Sequence, residues 1–184
     1  MQEHSEDLYP DSILRILKED GISAKKLQYD PDNQLLLRPL QLGDYDRGYL
    51  ELLSQLTNVG EVSREEYTER FRSMQKCKDT YYILVIEDVS LGQVVASASL
   101  IVELKFIHNT GLKGKLEDVV VHQSHRGRKL GQLLVEAILV LAQDLGCYKV
   151  TLECKDAMIG FYQSVGFTKE PGNSTYMYKR YITD

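Results

Sequence analysis

A cluster of cations separates an apolar, strand-like run from a long helical pattern. The cluster is His125-Arg126-Gly127-Arg128-Lys129-Leu130-Gly131, and apolar residues recur at helical spacing directly after it. Cations at a helix N-terminus oppose the helix macrodipole, at a cost of about 0.3–1 kcal/mol each. A bound anion reverses that cost, because backbone N–H groups and basic side chains then face a negative charge. The turn is therefore a candidate phosphate site, and a solvated basic surface turn is the alternative interpretation.

Two acids, Glu117 and Asp118, interrupt the apolar strand that precedes this turn. A buried carboxylate is costly unless it is paired or hydrogen-bonded, so we expect each acid to have a polar partner. Side chains alternate along a strand, so only one of the two can point directly at a given ligand group. The other then reaches the backbone or a second subunit. A structural ion pair is the alternative interpretation for both acids.

The elements that must position these groups follow from the periodicity of the apolar residues. The predicted strands are Leu35–Pro39, Tyr81–Glu87, Gln93–Ile107, Lys115–Val121, Tyr148–Cys154 and Tyr176–Tyr181. The predicted helices are Ile13–Lys18, Asp44–Leu56, a helix opened by the capping box of Ser63 and Glu66 and ending near Lys76, Leu130–Leu145, and Ala157–Val165 capped by Asp156. Residues 81–107 are predicted to form a hairpin, and Asn109–Gly114 a turn. The strand, helix and strand over 115–154 predict a right-handed crossover and a parallel pair.

The helix predicted at Leu130–Leu145 is apolar on more than one side. Val135, Leu139, Val140 and Ala142 lie off its main apolar stripe, and a helix with one wet face does not need them. Either the helix lies deep inside one domain, or it also contacts a second subunit.

Composition limits the class of protein. The 184 residues suit one domain of the α/β (α+β) class, with 1–33 as a partly ordered extension and 34–184 as the domain. A net charge of −5 argues against a nucleic-acid partner. The residues near Met1 do not predict a secretory h-region, and no apolar run is long enough to predict a segment that crosses a bilayer. Three cysteines without metal-ligand spacing indicate reduced thiols, a cytoplasmic location and no metal site.

The cationic turn resembles the pyrophosphate loop of the GNAT superfamily of acetyl-CoA-dependent N-acetyltransferases. The pattern of that loop is Arg/Gln-x-x-Gly-x-Gly/Ala, and Lys129 stands where its first glycine is expected. From about Leu35 to Arg180 the chain also resembles the glucosamine-6-phosphate N-acetyltransferase family within it. The stretches that carry this resemblance are Leu36-Arg38-Pro39, Leu56-Thr57-x-x-Gly60, Lys105-Phe106-Ile107-His108, Glu117-Asp118-Val119-Val120-Val121, Cys147-Tyr148-Lys149, Leu152-Glu153-Cys154 and Gly160-Phe161-Tyr162.

The resemblance implies the GNAT fold, a central, mixed and mostly antiparallel sheet with a parallel strand pair around the CoA site and helices on both faces. It implies acetyl-CoA as the acyl donor. The residues implied to bind it are Val119, Val120, Val121, Arg126, Gly127, Arg128, Lys129, Leu130, Gly131, Gln132, Cys154 and Tyr162. Met158 stands where the family commonly has asparagine, so one contact to the coenzyme is expected to be lost.

The resemblance also implies acetyl transfer to the amine of D-glucosamine 6-phosphate, by direct attack in a ternary complex and as a step toward UDP-N-acetylglucosamine. The residues implied to bind the sugar phosphate are Thr57, Lys105, Phe106, Ile107, His108, Glu117, Asp118, Tyr148, Lys149, Glu153 and Arg180. Tyr162 is implied to hydrogen-bond and protonate the leaving thiolate, and either Glu117 or Glu153 to accept the proton of the amine. A homodimer with shared active sites is implied, in which Arg180 serves the substrate of its partner.

Two other functions stay open at this point. The chain could acetylate a different amine, such as a protein N-terminus, a lysine or a polyamine. A cationic substrate would, however, be repelled by Lys105, His108, Lys149 and Arg180. A non-catalytic acyl-CoA-binding module is the third interpretation, motivated by Lys129 and Met158. The presence of Tyr162 and of the sugar-phosphate set argues against it.

Overall fold

The computed structural model describes residues 6–10, 15, 17, 34–172 and 176–181. The chain divides into two compact units, Met1–Thr151 and Leu152–Asp184. The first unit contains a five-stranded sheet of β1 (Leu35–Pro39), β2 (Tyr81–Asp88), β3 (Gln93–Leu104), β4 (Leu112–Val121) and β5 (Cys147–Thr151). Its helices are α1 (Tyr49–Ser54), α2 (Arg64–Lys76) and α3 (Leu130–Asp144), and the second unit contains α4 (Ile159–Ser164).

The sheet is mixed, as predicted. Strands β1 to β4 pair antiparallel in chain order, and β5 pairs parallel to β4. Residues 94–100 of β3 are all buried, which requires cover on both faces of the sheet, because successive side chains point to opposite faces. This strand is the centre of the core.

Helix α3 confirms the most strongly patterned prediction of the sequence. It spans Leu130–Asp144, and Gly146 follows with a φ of 82°, the left-handed conformation that ends many helices at a glycine. Val135 and Ala142 are fully buried inside the first unit. Burial within one unit therefore accounts for these two off-stripe residues.

The helix predicted at Asp44–Leu56 is wrong in its bounds. A 3-10 turn covers Leu42–Tyr45 and α1 covers only Tyr49–Ser54. The side chain of Asp44 accepts a hydrogen bond from the backbone N–H of Gln41 at 2.8 Å, which favours the tight turn. Gly48 then adopts a φ of 77° and interrupts the helical path. The capping box of α2, by contrast, is present as predicted at Ser63 and Glu66.

Three predicted strand ends are also wrong. Strand β3 ends at Leu104 and β4 begins at Leu112. The turn Ile107–Thr110 lies between them, and three of its residues, His108, Asn109 and Thr110, have φ of 53° to 56°. Strand β5 ends at Thr151, not at Cys154, because its pairing with β4 stops there. Alternation of apolar and polar residues can predict a strand, but the strand extends only as far as a neighbouring strand pairs with it.

In the second unit, Asp156 lies inside a 3-10 turn, Asp156–Met158, whose N-cap is Lys155, so it does not cap the helix as predicted. The strand predicted at Tyr176–Tyr181 is wrong for the described residues, which are irregular there. A strand needs a paired neighbour for its backbone groups. Of the predicted helix Ile13–Lys18, only Arg15 and the buried Leu17 are described, both helical, and its other residues lie outside the described residues.

The short segment of residues 6–10 packs on the first unit. The N–H of Leu8 donates to the carbonyl of Leu40 at 2.8 Å, and Leu8 and Tyr9 are buried. None of the helices in the described part of the chain has both the length and the apolar composition to cross a bilayer.

Candidate active site

Strand β4 contains a bulge at the two acids. Ser97 of β3 pairs with Val120 and Ser99 pairs with Glu117, so Asp118 and Val119 together oppose a single β3 residue. Asp118 has a φ of 52°, in the left-handed region that a strand does not use. Regular alternation therefore does not hold across Glu117 and Asp118.

The parallel pairing of β4 and β5 ends at Lys115 and Thr151. Strand β4 continues to Val121, so in the described chain residues 116–121 have no β5 partner on that side. Backbone groups that would complete a ladder there are open to a ligand. The predicted coenzyme contacts Val119, Val120 and Val121 lie in this stretch.

The cationic loop follows β4 and leads into α3. Gly127 and Lys129 both have positive φ, 79° and 60°, and Lys129 is the N-cap of α3. Among the described residues no side chain caps this helix end at Lys129, so the N–H groups of its first turn, at Leu130, Gly131 and Gln132, remain as donors. Arg126 donates from Nε to the carbonyl of Val121 at 3.1 Å. The arrangement presents donors and cations together, as an anion requires.

Lys129 has a left-handed backbone conformation, which explains why the pyrophosphate-loop pattern has a glycine at this position. Glycine adopts this conformation without a Cβ clash, whereas another residue pays about 1–2 kcal/mol. A lysine here accepts backbone strain and adds one more positive charge to the loop.

The two acids have different surroundings. Glu117 forms an ion pair with Lys115 on the same strand. Asp118 lines a cavity of about 610 Å³ between the sheet and helices α1 and α2. Desolvation by the surrounding protein, and then the charge of Glu117, raise the pKa of the Asp118 carboxyl. Asp118 is also exposed in the strand, so its carboxyl is accessible to a substrate.

Sequence reasoning missed two polar groups close to Asp118. Tyr49 of α1 is buried, and this burial raises the pKa of its hydroxyl, with the nearby charge of Asp118 acting in the same direction. The Ser97 Oγ is fully buried and, among the described residues, has no hydrogen bond of standard geometry. In the sequence Tyr49 is one residue of an apolar helical stripe, so no local signal distinguishes it.

A second group of predicted residues meets at the opposite end of β4. The rings of His108 and Tyr148 lie 4.2 Å apart between centroids, and Lys149 Nζ lies 5.9 Å from the Tyr148 ring centre. Lys105 pairs with Glu103. We call His108, Tyr148 and Lys149 the cation–aromatic cluster.

Three other predicted substrate residues, Phe106, Ile107 and Thr57, are exposed and do not belong to this cluster. Phe106 is 97% exposed and Ile107 is 63% exposed. Thr57 is exposed after α1, and its N–H donates to the carbonyl of Leu53 at 3.2 Å.

The acids and the cation–aromatic cluster stand at different levels of the sheet. Lys149 lies opposite Lys113 in the parallel ladder, and Glu117 follows four residues later on β4. At about 3.3 Å per residue, the two levels are about 13 Å apart. One chain therefore places the acids on the stretch of β4 that β5 does not pair, about 13 Å along the strand from the backbone level of the cluster.

Four predicted residues belong to the second compact unit: Tyr162, Glu153, Cys154 and Arg180. Tyr162 lies on α4 with its ring centroid 5.0 Å from that of Phe161. Burial, and then the proximity of Cys154, raise the pKa of the Tyr162 hydroxyl above its ordinary value, at which the phenol is already protonated at neutral pH. A protonated phenol can serve as a proton donor. Cys154 is a free, exposed thiol.

Comparison with known proteins agrees with this geometry. The profile of the acetyltransferase (GNAT) family matches residues 47–167. A Drosophila melanogaster protein named as a probable glucosamine 6-phosphate N-acetyltransferase is 50% identical over 145 residues, or 79% of this chain and 66% of that protein. The Dictyostelium discoideum glucosamine 6-phosphate N-acetyltransferase 1 is 40% identical over 76% of this chain and 88% of its own length.

A solved structure agrees as well. The crystal structure of glucosamine-6-phosphate N-acetyltransferase from Arabidopsis thaliana superposes with a TM-score of 0.76 at 36% identity, covering 80% of this chain and 99% of that one. The chain therefore belongs to the acetyltransferase (GNAT) family and has its fold. Members of this family use acetyl-CoA as the acyl donor.

Proposed function

We propose that this chain transfers the acetyl group of acetyl-CoA to the amine of D-glucosamine 6-phosphate, giving N-acetylglucosamine 6-phosphate and CoA on the way to UDP-N-acetylglucosamine. The observation that carries the proposal is the open edge of β4 beyond Lys115, directly followed by the cationic loop. The choice of acceptor rests on the names of the relatives at 36% to 50% identity.

The residues present suit a pyrophosphate. Gly127 and Lys129 turn the backbone so that the first N–H groups of α3 face outward, and Arg126 and Arg128 add charge. In the proposed complex these groups hold the diphosphate, and the backbone of Val119–Val121 donates hydrogen bonds to the thioester carbonyl oxygen. The acyl group then lies beside the bulge at Asp118.

We assign the acceptance of the amine proton to Asp118. Its raised pKa and its position on the cavity wall suit a base. Glu117, paired with Lys115, orients the sugar, and Glu153 remains the alternative base. The neutral amine attacks the thioester directly in a ternary complex, and most of the rate enhancement comes from the alignment of the two substrates.

Tyr162 is the proposed proton donor to the leaving thiolate. Its phenol is protonated at neutral pH, as an ordinary tyrosine is, and burial raises its pKa further. Proton transfer from a positioned side chain typically contributes about 10²–10⁴-fold to the rate.

We also propose a homodimer with shared active sites. The backbone levels of the cation–aromatic cluster and of the acids of one chain lie about 13 Å apart along β4 at about 3.3 Å per residue, a separation that their side chains must span to hold one hexosamine 6-phosphate. A cluster from one protomer facing the acids of its partner would shorten that separation, with Arg180 supplied by the chain that does not supply the acids. The exposed Tyr176, Met177 and Tyr178 supply apolar surface for such an interface.

Mixing two defective chains tests the sharing. Arg180→Ala and Glu117→Gln homodimers should each be nearly inactive, and subunit exchange between them should restore activity in heterodimers. Sedimentation that finds only monomers at assay concentration would refute the shared site.

The function itself is tested by following free thiol release from acetyl-CoA with a panel of amines. Turnover with D-glucosamine 6-phosphate should exceed turnover with glucosamine, spermidine or a peptide amine. A preference for peptide or polyamine amines would point to a different acetyltransferase. Coenzyme binding without turnover on any amine would indicate a binding module instead.

A further inference from the structure

A buried contact between two polar residues lies beneath the cationic loop. His125 is 6% exposed and Asp88 is 7% exposed, and His125 Nε2 lies 3.1 Å from Asp88 Oδ2. Asp88 is the last residue of β2, and His125 directly precedes Arg126. The contact therefore joins the turn between β2 and β3 to the first residue of the loop.

The other oxygen of Asp88 is held by the turn. Its Oδ1 accepts hydrogen bonds from Ser90 Oγ at 2.5 Å, from the N–H of Ser90 at 3.0 Å and from the N–H of Leu91 at 3.2 Å. Burial opposes ionisation, but these bonds and the one from His125 outweigh it and lower the pKa of Asp88. An ionised carboxylate only accepts hydrogen bonds, so Nε2 of His125 carries a proton and donates it.

Ser124 determines the state of the other ring nitrogen. Its Oγ lies 2.8 Å from Nδ1 of His125 and 2.6 Å from Nδ1 of His122. The hydroxyl has one proton and can donate to only one of them. Nδ1 of His122 also accepts the backbone N–H of Ser124 at 3.3 Å, so it is an acceptor and takes the hydroxyl proton. Nδ1 of His125 must then donate to the hydroxyl, and the hydrogen-bond pattern assigns a proton to both nitrogens of His125.

We propose that Asp88 and His125 form a buried ion pair that positions the coenzyme loop, with His125 acting as a positioning residue for acetyl-CoA binding. This inference rests on the proposed function of the loop. A loop that is ordered before binding loses less conformational entropy when the ligand arrives. The pair touches neither the open edge of β4 nor the acids, so its loss should affect coenzyme affinity and leave the transfer step alone.

Two further hydrogen bonds attach the residues just before the cationic loop to the rest of the first unit, and neither involves His125. The N–H of His122 donates to the carbonyl of Val95 at 2.8 Å, and the N–H of Gln123 donates to Gln55 Oε1 at 2.9 Å. Both remain when the His125 side chain is removed. A variant at His125 should therefore loosen the loop without detaching it from the sheet.

The test compares three full-length variants by calorimetric titration with coenzyme A and by steady-state kinetics. His125→Ala should raise the Kd for coenzyme A and the KM for acetyl-CoA about tenfold, as expected when a preordered loop must be ordered on binding, with kcat within about twofold of wild type. His125→Gln keeps an N–H that can reach Asp88 and should recover most of that affinity. Ser90→Ala is the matched control, because it removes a bond to the same carboxylate from the turn side. It should lower the melting temperature and leave the Kd unchanged.

The outcomes separate this inference from the proposed function. A wild-type chain that does not bind coenzyme A refutes the proposed function. If the wild type binds coenzyme A and His125→Ala has an unchanged Kd, only the positioning role is refuted. The same holds if Ser90→Ala loses as much affinity for coenzyme A as His125→Ala, or if His125→Gln does not recover that affinity. If His125→Ala fails to fold, a second pair of variants tests the positioning role. Asp88→Asn alone should weaken coenzyme A binding, and the double variant Asp88→Asn with His125→Gln should restore it, because the two amides can hydrogen-bond to each other. Nitrogen NMR of His125 in the folded chain should find a proton on both ring nitrogens, and a single proton would overturn the ion pair.

Discussion

Replacing Asp44 with asparagine tests how the chain braces the turn before α1, which lines the cavity at Asp118. The Asp44 side chain is 0% exposed. Its oxygens accept hydrogen bonds from Arg38 Nη2 at 2.7 Å, Arg38 Nη1 at 2.8 Å, the N–H of Gln41 at 2.8 Å and Arg47 Nη1 at 3.1 Å. Asparagine keeps the shape but replaces one acceptor with a donor. One of these donors then faces another N–H, and Arg38 keeps Glu87 as its remaining carboxylate partner at 2.8 Å.

The expected loss is large because the buried Arg38 loses one of its two carboxylate partners and one buried hydrogen bond of the turn is broken. Breaking a buried pair from one side costs about 3–5 kcal/mol. For a chain of this size each kcal/mol moves the melting temperature by about 2–4 °C, so we expect a drop of about 10 °C. Thermal unfolding followed by circular dichroism measures it.

The matched control is Asp46→Asn, two residues along the same turn. Asp46 pairs with Arg64, but their side chains are 59% and 52% exposed, so solvent screens the charges. We expect a change in melting temperature below about 2 °C, since exposed pairs contribute little. Equal effects of Asp44→Asn and Asp46→Asn would refute the reasoning that burial, and not charge pairing alone, determines the cost.

Four further predictions concern the site. Gly131→Glu should abolish coenzyme A binding in calorimetry with an unchanged melting temperature, because the new carboxylate repels phosphate but suits the helix N-terminus; unchanged affinity would contradict the phosphate-loop assignment. Lys129→Gly should weaken coenzyme A binding about threefold through loss of one charge, with stability within about 1 kcal/mol because strain relief offsets the added flexibility of the unfolded chain. Tyr162→Phe should lower kcat about 100-fold and leave the KM for acetyl-CoA near its wild-type value; an unchanged kcat would exclude proton donation. Because the pKa of Asp118 is raised, kcat/KM of the wild type should begin to fall on the acid side at a higher pH than an ordinary carboxylate would cause. Asp118→Asn should be slow, and its pH profile of kcat/KM should lack this fall on the acid side.

The sequence by itself determined the elements whose causes are local. The leucine spacing and the glycine at position 146 predicted α3 to within one residue, and the capping box at Ser63 predicted the start of α2. The cations before α3 and the strand, helix and strand around them predicted the loop and the parallel pair. Each of these depends on residues a few positions apart, whose preferences act wherever the chain is placed.

Tertiary structure alone decided the features that depend on a distant partner. The bulge at Asp118 exists because β3 pairs with β4 on either side of it, and β5 ends at Thr151 because its pairing with β4 stops there. The contact of Asp88 with His125 joins residues 37 positions apart. The periodicity of apolar residues indicates which face of a helix or strand is buried. Strand pairing and buried polar contacts depend instead on which distant residues the fold brings together.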